Sequence, residues 1–146
     1  MILKKNYLSV YAKSFNWAGF FLPKKTYTEC SALYNFCRII DNIADEKDTL
    51  VNKREKFTKF KEDFYSKKFS DDIIQDMWNL VDKYNISLNI INDLFDGIET
   101  DLDENVNFRN KNELLIYSYR VAGTVGLMMA KILKVNKKKE LKAAND

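Results

Sequence analysis

The chain has 146 residues, the length of one ordinary domain, and its 46% hydrophobic and 14% aromatic residues exclude a disordered chain. Four glycines and one proline favour an all-helical protein, and a net charge of +3 with interspersed acids argues against nucleic-acid binding. The absence of histidine excludes Ser–His and Cys–His catalytic pairs and leaves oxygen ligands for any metal ion.

The apolar periodicity predicts helices with short connections along the whole chain. They are expected over residues 3–14, 24–45, 49–67, from 71 onward, from 88 onward, 112–133 and from 136 onward. Pro23 ends an apolar segment before the second helix, Ser70 is the expected N-cap of the fourth, and the fifth follows Ser87. Because the last helical pattern continues to residue 146 without a cap, we expect the chain to be the first part of a longer domain.

The two cysteines indicate a reducing environment. Cys30 and Cys37 lie seven residues apart on the second predicted helix, about 10.5 Å along its axis and too far for a disulfide. A cytoplasmic location is therefore expected. The longest apolar stretches are shorter than the roughly 18 residues of a membrane-spanning helix.

Polar side chains form one stripe along the second predicted helix. Tyr34, Arg38, Asp41 and Asp45 follow the i, i+4, i+7, i+11 spacing of a single helix face. Carboxylates one turn apart repel each other unless a cation lies between them. Each can give an oxygen to Mg²⁺, and an arginine one turn upstream can bind a phosphate of the same ligand. The spacing is compatible with a Mg²⁺–diphosphate site, and a solvated face with ordinary surface pairs is the alternative.

Small residues and acids mark two later segments. Ala122, Gly126 and Ala130 recur every four residues, although a helical glycine costs about 1 kcal/mol relative to alanine. Either tight helix packing or a channel wall for a ligand's alkyl chain explains this stripe. The acidic segment 94–104, with Asp101 near the end of its helix, is interpreted as solvated charge.

The chain resembles the squalene and phytoene synthase family, most closely its bacterial phytoene synthase branch. The resemblance is carried in order by AKSFNWAGFFLP, ALYNFCRIIDNIADE, LFDGIETDL and YSYRVAGTVGLMMAKIL. It implies an all-α isoprenoid-synthase fold, a helical bundle around a central cavity. It also implies condensation of two geranylgeranyl diphosphates to phytoene with Mg²⁺, or alternatively Mn²⁺, through a cyclopropyl diphosphate in carotenoid biosynthesis. A squalene- or dehydrosqualene-type synthase that uses farnesyl diphosphate, and an inactive fragment or helical binding module, are the alternatives.

The resemblance also implies residue roles. Asp41 and Asp45 match the first aspartate-rich motif, which binds the metal and the diphosphate, and Tyr34 and Arg38 match residues at the diphosphate and the reacting centre. All four are expected to be catalytic. The substrate-binding residues are expected to be Ser14, Phe15, Tyr34, Arg38, Tyr119, Val121, Ala122 and Gly126.

Some positions depart from the family pattern. Ala12 replaces the first serine of the Ser-x-Ser-Phe element, and Asn42 stands where a further aspartate is frequent. The family's second aspartate-rich motif is missing from residues 1–146, which therefore match the N-terminal part of one prenyl-synthase domain. We expect this part to be inactive alone, or active only with a complementing C-terminal segment. Its expected ligands are prenyl diphosphates, and their lipophilicity is compatible with peripheral association at the inner membrane face.

Overall fold

A computed structural model describes residues 13, 16–17 and 19–133. All regular structure in this part is helical, so the all-α prediction is confirmed. The helices are α1 (Lys24–Asp45), α2 (Leu50–Tyr65), α3 (Asp72–Tyr84), α4 (Leu88–Asp101), α5 (Lys111–Ser118), a π-helical segment (Tyr119–Gly123) and α6 (Thr124–Ile132). The helix expected from residue 136, nearly all of the one expected over residues 3–14, and the predicted site residues Ser14 and Phe15 lie outside the described residues.

Local capping determines where the helices begin. The Thr49 and Ser87 hydroxyls accept backbone N–H groups in the first turns of α2 and α4. The Ser70 prediction is wrong, because the Asp71 carboxylate accepts the N–H groups of Ile73 and Ile74 and so caps α3. A charged acceptor makes a stronger hydrogen bond at a helix N-terminus than a hydroxyl does.

Helix α1 lies at the centre and contacts α2, α3, α4 and α6. Its core face meets an aromatic cluster: the ring centroid of Phe36 is 5.4 Å from that of Phe64, and Phe64 is 5.6 Å from Phe95. Three phenylalanines on one face of α2, Phe57, Phe60 and Phe64, are buried. Because these rings come from α1, α2 and α4, their packing fixes the three helices side by side.

The predicted helix over residues 112–133 contains a change of helix type. From Tyr119 to Gly123 the backbone is π-helical, and the Thr124 N–H donates to the Tyr119 carbonyl five residues earlier. This segment packs on α4 at Gly97, where an added Cβ atom would lie 2.8 Å from Arg120 Cβ. The sequence carries no regular signal for a π-helical turn, and such turns are frequent at functional sites.

The acidic ends of α1 and α4 lie at the same end of the bundle. Lys53 near the start of α2 donates to the Ala44 carbonyl, and Arg54 donates to the Leu102 carbonyl that follows α4. The carboxyl ends of α1 and α4 therefore both face the amino end of α2. No helix in the described part is long and apolar enough to cross a lipid bilayer.

Candidate diphosphate-binding site

The predicted polar stripe runs along the border between the core and the surface of α1. Tyr34 and Asp41 are half-buried, whereas Arg38 and Asp45 are exposed. One carboxylate oxygen of Asp41, Oδ2, is shielded from solvent. The stripe thus combines a sheltered carboxylate with an accessible carboxylate and an accessible guanidinium, which is compatible with a ligand approaching from solvent.

A tyrosine on α5 joins this stripe to the end of α4. The Tyr117 hydroxyl donates a 2.6 Å hydrogen bond to Asp101 Oδ1. Burial, this hydrogen bond, and the negative charges of Asp101, Asp41 and Asp45 raise the pKa of Tyr117 well above its ordinary value. Helices α1, α4 and α5 therefore bring together what we call the acidic cluster: Asp41, Asp45, Asp101 and Tyr117.

Two members of the acidic cluster were not anticipated from the sequence. Asp101 was interpreted as solvated charge, but it is half-buried and accepts from Tyr117. The interpretation fits Glu99 in the same segment, which is exposed and pairs with Lys61 at 2.6 Å. The sequence did contain a signal that Tyr117 is partly buried. Helical spacing places it on the same face as Thr124, Met128 and Ile132, which are buried.

The remaining predicted substrate-binding residues lie on the π-helical segment and on α6. Tyr119 is 42% exposed, and its hydroxyl is 3.5 Å from Asp93 Oδ2. Val121 is half-buried, and its Cγ1 would lie 3.0 Å from a Cβ atom added at Gly97. Ala122 and Gly126 are exposed. The structure therefore places Val121 against α4 and leaves the other three on an accessible face.

The small-residue stripe borders open space at its centre. A Cβ atom added to Gly126 would meet no atom within 4 Å. Tight helix packing therefore does not account for this glycine in the part of the chain that the structure describes. Tyr119, Leu127 and Leu133 add exposed apolar surface nearby.

The ligand atoms available near the stripe are oxygens. Cys37 lies one turn before Asp41, and burial together with the charge of Asp41 raises the pKa of Cys37 to about 12. Its thiol is protonated at neutral pH and is a poor metal ligand. Both cysteines are free, as predicted. An oxygen donor set suits a hard cation such as Mg²⁺.

The carboxylates do not form a complete metal cage by themselves. No group of three or more His, Cys, Asp or Glu side chains within residues 19–133 is arranged to hold a metal ion. Protein sites for Mg²⁺ usually supply one or two carboxylates, with phosphate oxygens and water completing the octahedron. The residues present fit a metal ion that arrives with a diphosphate, and they do not fit a tight site for the free ion.

Two open clefts lie beside α1. One of about 420 Å³ is lined by Ile39, Asn42, Ile43, Asp45 and Glu46. The other, about 300 Å³, lies between α1 and α3. Neither is lined by Tyr34, Arg38 or Asp41, so neither brings together the whole predicted stripe.

Comparison with known proteins gives one consistent result. The squalene/phytoene synthase family model matches residues 8–146. The chain is 30% identical over 134 residues to 4,4'-diapophytoene synthase of Staphylococcus haemolyticus, covering 84% of this chain and 44% of the relative. It is 25% identical to chloroplastic phytoene synthase 1 of Zea mays (86% and 31%) and 26% identical to 15-cis-phytoene synthase of Synechocystis (86% and 38%). The chain thus spans less than half the length of each of these relatives.

Proposed function

Because the chain belongs to the squalene/phytoene synthase family, we propose that it forms the diphosphate-binding part of a synthase that condenses two prenyl diphosphates head to head. The single observation that carries this proposal is the acidic cluster. The Tyr117 hydroxyl donates a hydrogen bond to Asp101 of α4, and the charges of Asp41 and Asp45 contribute to the raised pKa of Tyr117.

The residues of the stripe have distinct roles in the proposal. Asp41 and Asp45 bind the metal–diphosphate head group, and Arg38 can donate two parallel hydrogen bonds to its oxygens. Mg²⁺, or alternatively Mn²⁺, supplies positive charge that stabilises the departing diphosphate. Tyr34, half-buried on the same face, presents an aromatic ring beside the reacting carbon, where its π face stabilises a cation.

Tyr117 holds Asp101 in place in this proposal. Its raised pKa keeps the hydroxyl protonated at neutral pH, so the hydroxyl donates a hydrogen bond and does not act as a resting base. This hydrogen bond fixes the Asp101 carboxylate at the end of α4. The cluster attracts cations, which suits a ligand carried in with Mg²⁺.

The reaction follows from the family resemblance. One prenyl diphosphate loses its diphosphate, and the double bond of the second attacks the allylic cation to give a cyclopropyl diphosphate with loss of a proton. A second ionisation, rearrangement and proton loss then give the hydrocarbon. The exposed face of Tyr119, Ala122 and Gly126 offers apolar surface for a prenyl chain.

Peripheral membrane association and a cytoplasmic location stay predictions.

Two substrate lengths are candidates. Geranylgeranyl diphosphate, with phytoene as product, is the first, and two of the three relatives described above have phytoene synthase in their names. Farnesyl diphosphate is the second, and the relative named 4,4'-diapophytoene synthase supports it. The open space at Gly126 places no limit on chain length within the described part.

A chimera tests this function. The matching part of the Staphylococcus haemolyticus synthase is replaced by the corresponding residues of this chain, and hydrocarbon products from both diphosphates are measured with Mg²⁺. We expect product from the chimera and a loss of orders of magnitude with Asp41→Asn or Asp45→Asn. The matched control is Asp82→Asn, an exposed carboxylate on α3.

Two outcomes of the chimera experiment contradict the proposal. One is a folded chimera that forms no product. The other is a double Asp41→Asn, Asp45→Asn chimera that retains the full rate. The chain alone is expected to bind diphosphate and to form no product, with turnover restored by a complementing C-terminal segment.

A further inference from the structure

Two neighbouring cations of α2 bind the carboxyl ends of two different helices. Lys53 Nζ donates to the Ala44 carbonyl, in the last turn of α1, at 3.0 Å. Arg54 Nε donates at 3.0 Å to the carbonyl of Leu102, the residue directly after α4. The last carbonyls of a helix lack partners within the helix and carry partial negative charge, so cations are favoured there.

These two contacts lie next to the acidic cluster in the sequence. Ala44 precedes Asp45, and Leu102 follows Asp101. Each cation therefore holds the backbone one residue away from a carboxylate of the acidic cluster. Since Lys53 and Arg54 are adjacent on one helix, their two hydrogen bonds bridge the ends of α1 and α4 through a single turn of α2.

The other cations of α2 make a different kind of contact. Lys56 pairs with the side chains of Glu46 and Asp48 at 2.7 and 3.1 Å. Lys59 pairs with Asp63 of its own helix at 3.5 Å, and Lys61 pairs with the side chain of Glu99 on α4 at 2.6 Å. Exposed side-chain pairs of this kind contribute little and hold no backbone in place. Backbone capping of both acidic helix ends is what distinguishes Lys53 and Arg54 among these cations.

We infer that Lys53 and Arg54 are positioning residues for diphosphate binding, which set the spacing between Asp45 on α1 and Asp101 with Tyr117 on the facing helices. The inference rests on the proposed function, because it assigns the bridge a role in binding the head group. Neither cation needs to touch the ligand. Their effect is to keep carboxylates that repel one another at a fixed separation before a cation arrives.

The test compares single variants of the whole 146-residue chain. Lys53→Gln and Arg54→Gln each remove one of the two hydrogen bonds to a helix-end carbonyl. Lys53→Arg keeps a donor and the charge. Lys59→Gln is the matched control, since it removes the same charge from the same helix without a contact to α1 or α4. The affinity for inorganic pyrophosphate with Mg²⁺ is measured by calorimetry. We expect it to fall about tenfold in the two glutamine variants, and less than about twofold in Lys53→Arg and Lys59→Gln.

A second readout needs no metal ion. The chain is labelled with 3-fluorotyrosine, and the Tyr117 signal is assigned by comparison with Tyr117→Phe. We expect this ¹⁹F signal to shift or broaden in Lys53→Gln and Arg54→Gln and to stay unchanged in Lys59→Gln. If Arg54→Gln does not fold, Arg54→Met replaces it, since it keeps a long unbranched side chain and removes the donor and the charge.

The two readouts separate failure of the bridge from failure of the proposed function. A wild-type chain that does not bind Mg²⁺–pyrophosphate contradicts the proposed function, and the ¹⁹F signal then decides the structural part of the inference. An unchanged ¹⁹F signal in both glutamine variants contradicts the claim that Lys53 and Arg54 set the spacing between the ends of α1 and α4. A wild-type chain that binds, with equal affinity in Lys53→Gln, Arg54→Gln and Lys59→Gln, overturns the positioning role.

Discussion

The Tyr117 hydroxyl and the Asp101 carboxylate are joined by a 2.6 Å hydrogen bond that links α5 to the end of α4. The bond lies beside the two aspartates of α1, whose charges contribute to the raised pKa of Tyr117. A residue pair that looks peripheral in the sequence therefore joins α5 to the end of α4.

Tyr117→Phe is expected to destabilise the chain by about 1–2 kcal/mol, because half-buried Asp101 loses a short hydrogen bond that offsets part of its desolvation. The free energy of unfolding is measured with urea at neutral pH. Tyr119→Phe is the control, since its hydroxyl lies 3.5 Å from Asp93 at the surface, and a change below about 0.5 kcal/mol is expected. Equal effects of the two variants contradict the assignment of Tyr117 to the acidic cluster.

Two glycine substitutions are expected to act in opposite directions. In Gly97→Ala the new Cβ atom lies 2.8 Å from Arg120 Cβ and 3.2 Å from the Arg120 carbonyl carbon, so the π-helical segment must move, at a cost of about 1–3 kcal/mol. In Gly126→Ala the new atom meets no described atom within 4 Å, and better helix propensity stabilises by up to about 1 kcal/mol. Thermal unfolding followed by circular dichroism checks both. A neutral Gly97→Ala variant would show that the close approach of α4 and the π-helical segment is absent in solution.

The ion pair between α1 and α3 makes stability depend on pH. Lys83 Nζ lies 2.6 Å from Glu29 Oε1. Burial by itself raises the pKa of Glu29, but hydrogen bonds from Lys83 and Tyr84 outweigh it, so the pKa lies below its ordinary value of 4.5. A carboxyl group whose pKa is lower in the folded state stabilises the fold above its unfolded pKa, and loses that contribution as the pH falls through the folded pKa.

Glu29→Gln is therefore expected to lower the melting temperature at neutral pH. The difference from wild type should shrink as the pH falls below the ordinary pKa of 4.5. Melting temperatures of both proteins across this range provide the measurement, with Asp82→Asn as a control for loss of a surface carboxylate on α3. A difference that stays constant down to acid pH would mean that Glu29 contributes no charge interaction.

The sequence predicted the helices best where periodicity and caps agree. The bounds expected for α1, residues 24–45, agree with the structure, because Pro23 precedes it and its apolar positions recur at helical spacing. Ser87 caps α4 as expected, and the phenylalanines of α2 are buried. Local signals failed at Ser70, where two adjacent cap candidates compete and the charged one makes the stronger bonds.

The stripe of the candidate site was predictable, and the position of Asp101 beside it was not. Tyr34, Arg38, Asp41 and Asp45 share a face because helical geometry alone decides that. The position of Asp101 depends on how α4 packs beside α1, which no local pattern specifies. The π-helical segment changes the helical register between α5 and α6, and it packs on Gly97, a tertiary contact that no local pattern specifies.

The central claim is that Asp41 and Asp45 bind a diphosphate through a divalent cation, and calorimetric titration of the chain with inorganic pyrophosphate tests it most directly. We expect binding with Mg²⁺, little binding without it, and no tight binding of Mg²⁺ alone. Asp41→Asn and Asp45→Asn should each weaken binding at least about tenfold, with Asp82→Asn unchanged. Pyrophosphate binding that is independent of Mg²⁺, or undiminished in the double Asp41→Asn, Asp45→Asn variant, would contradict the claim.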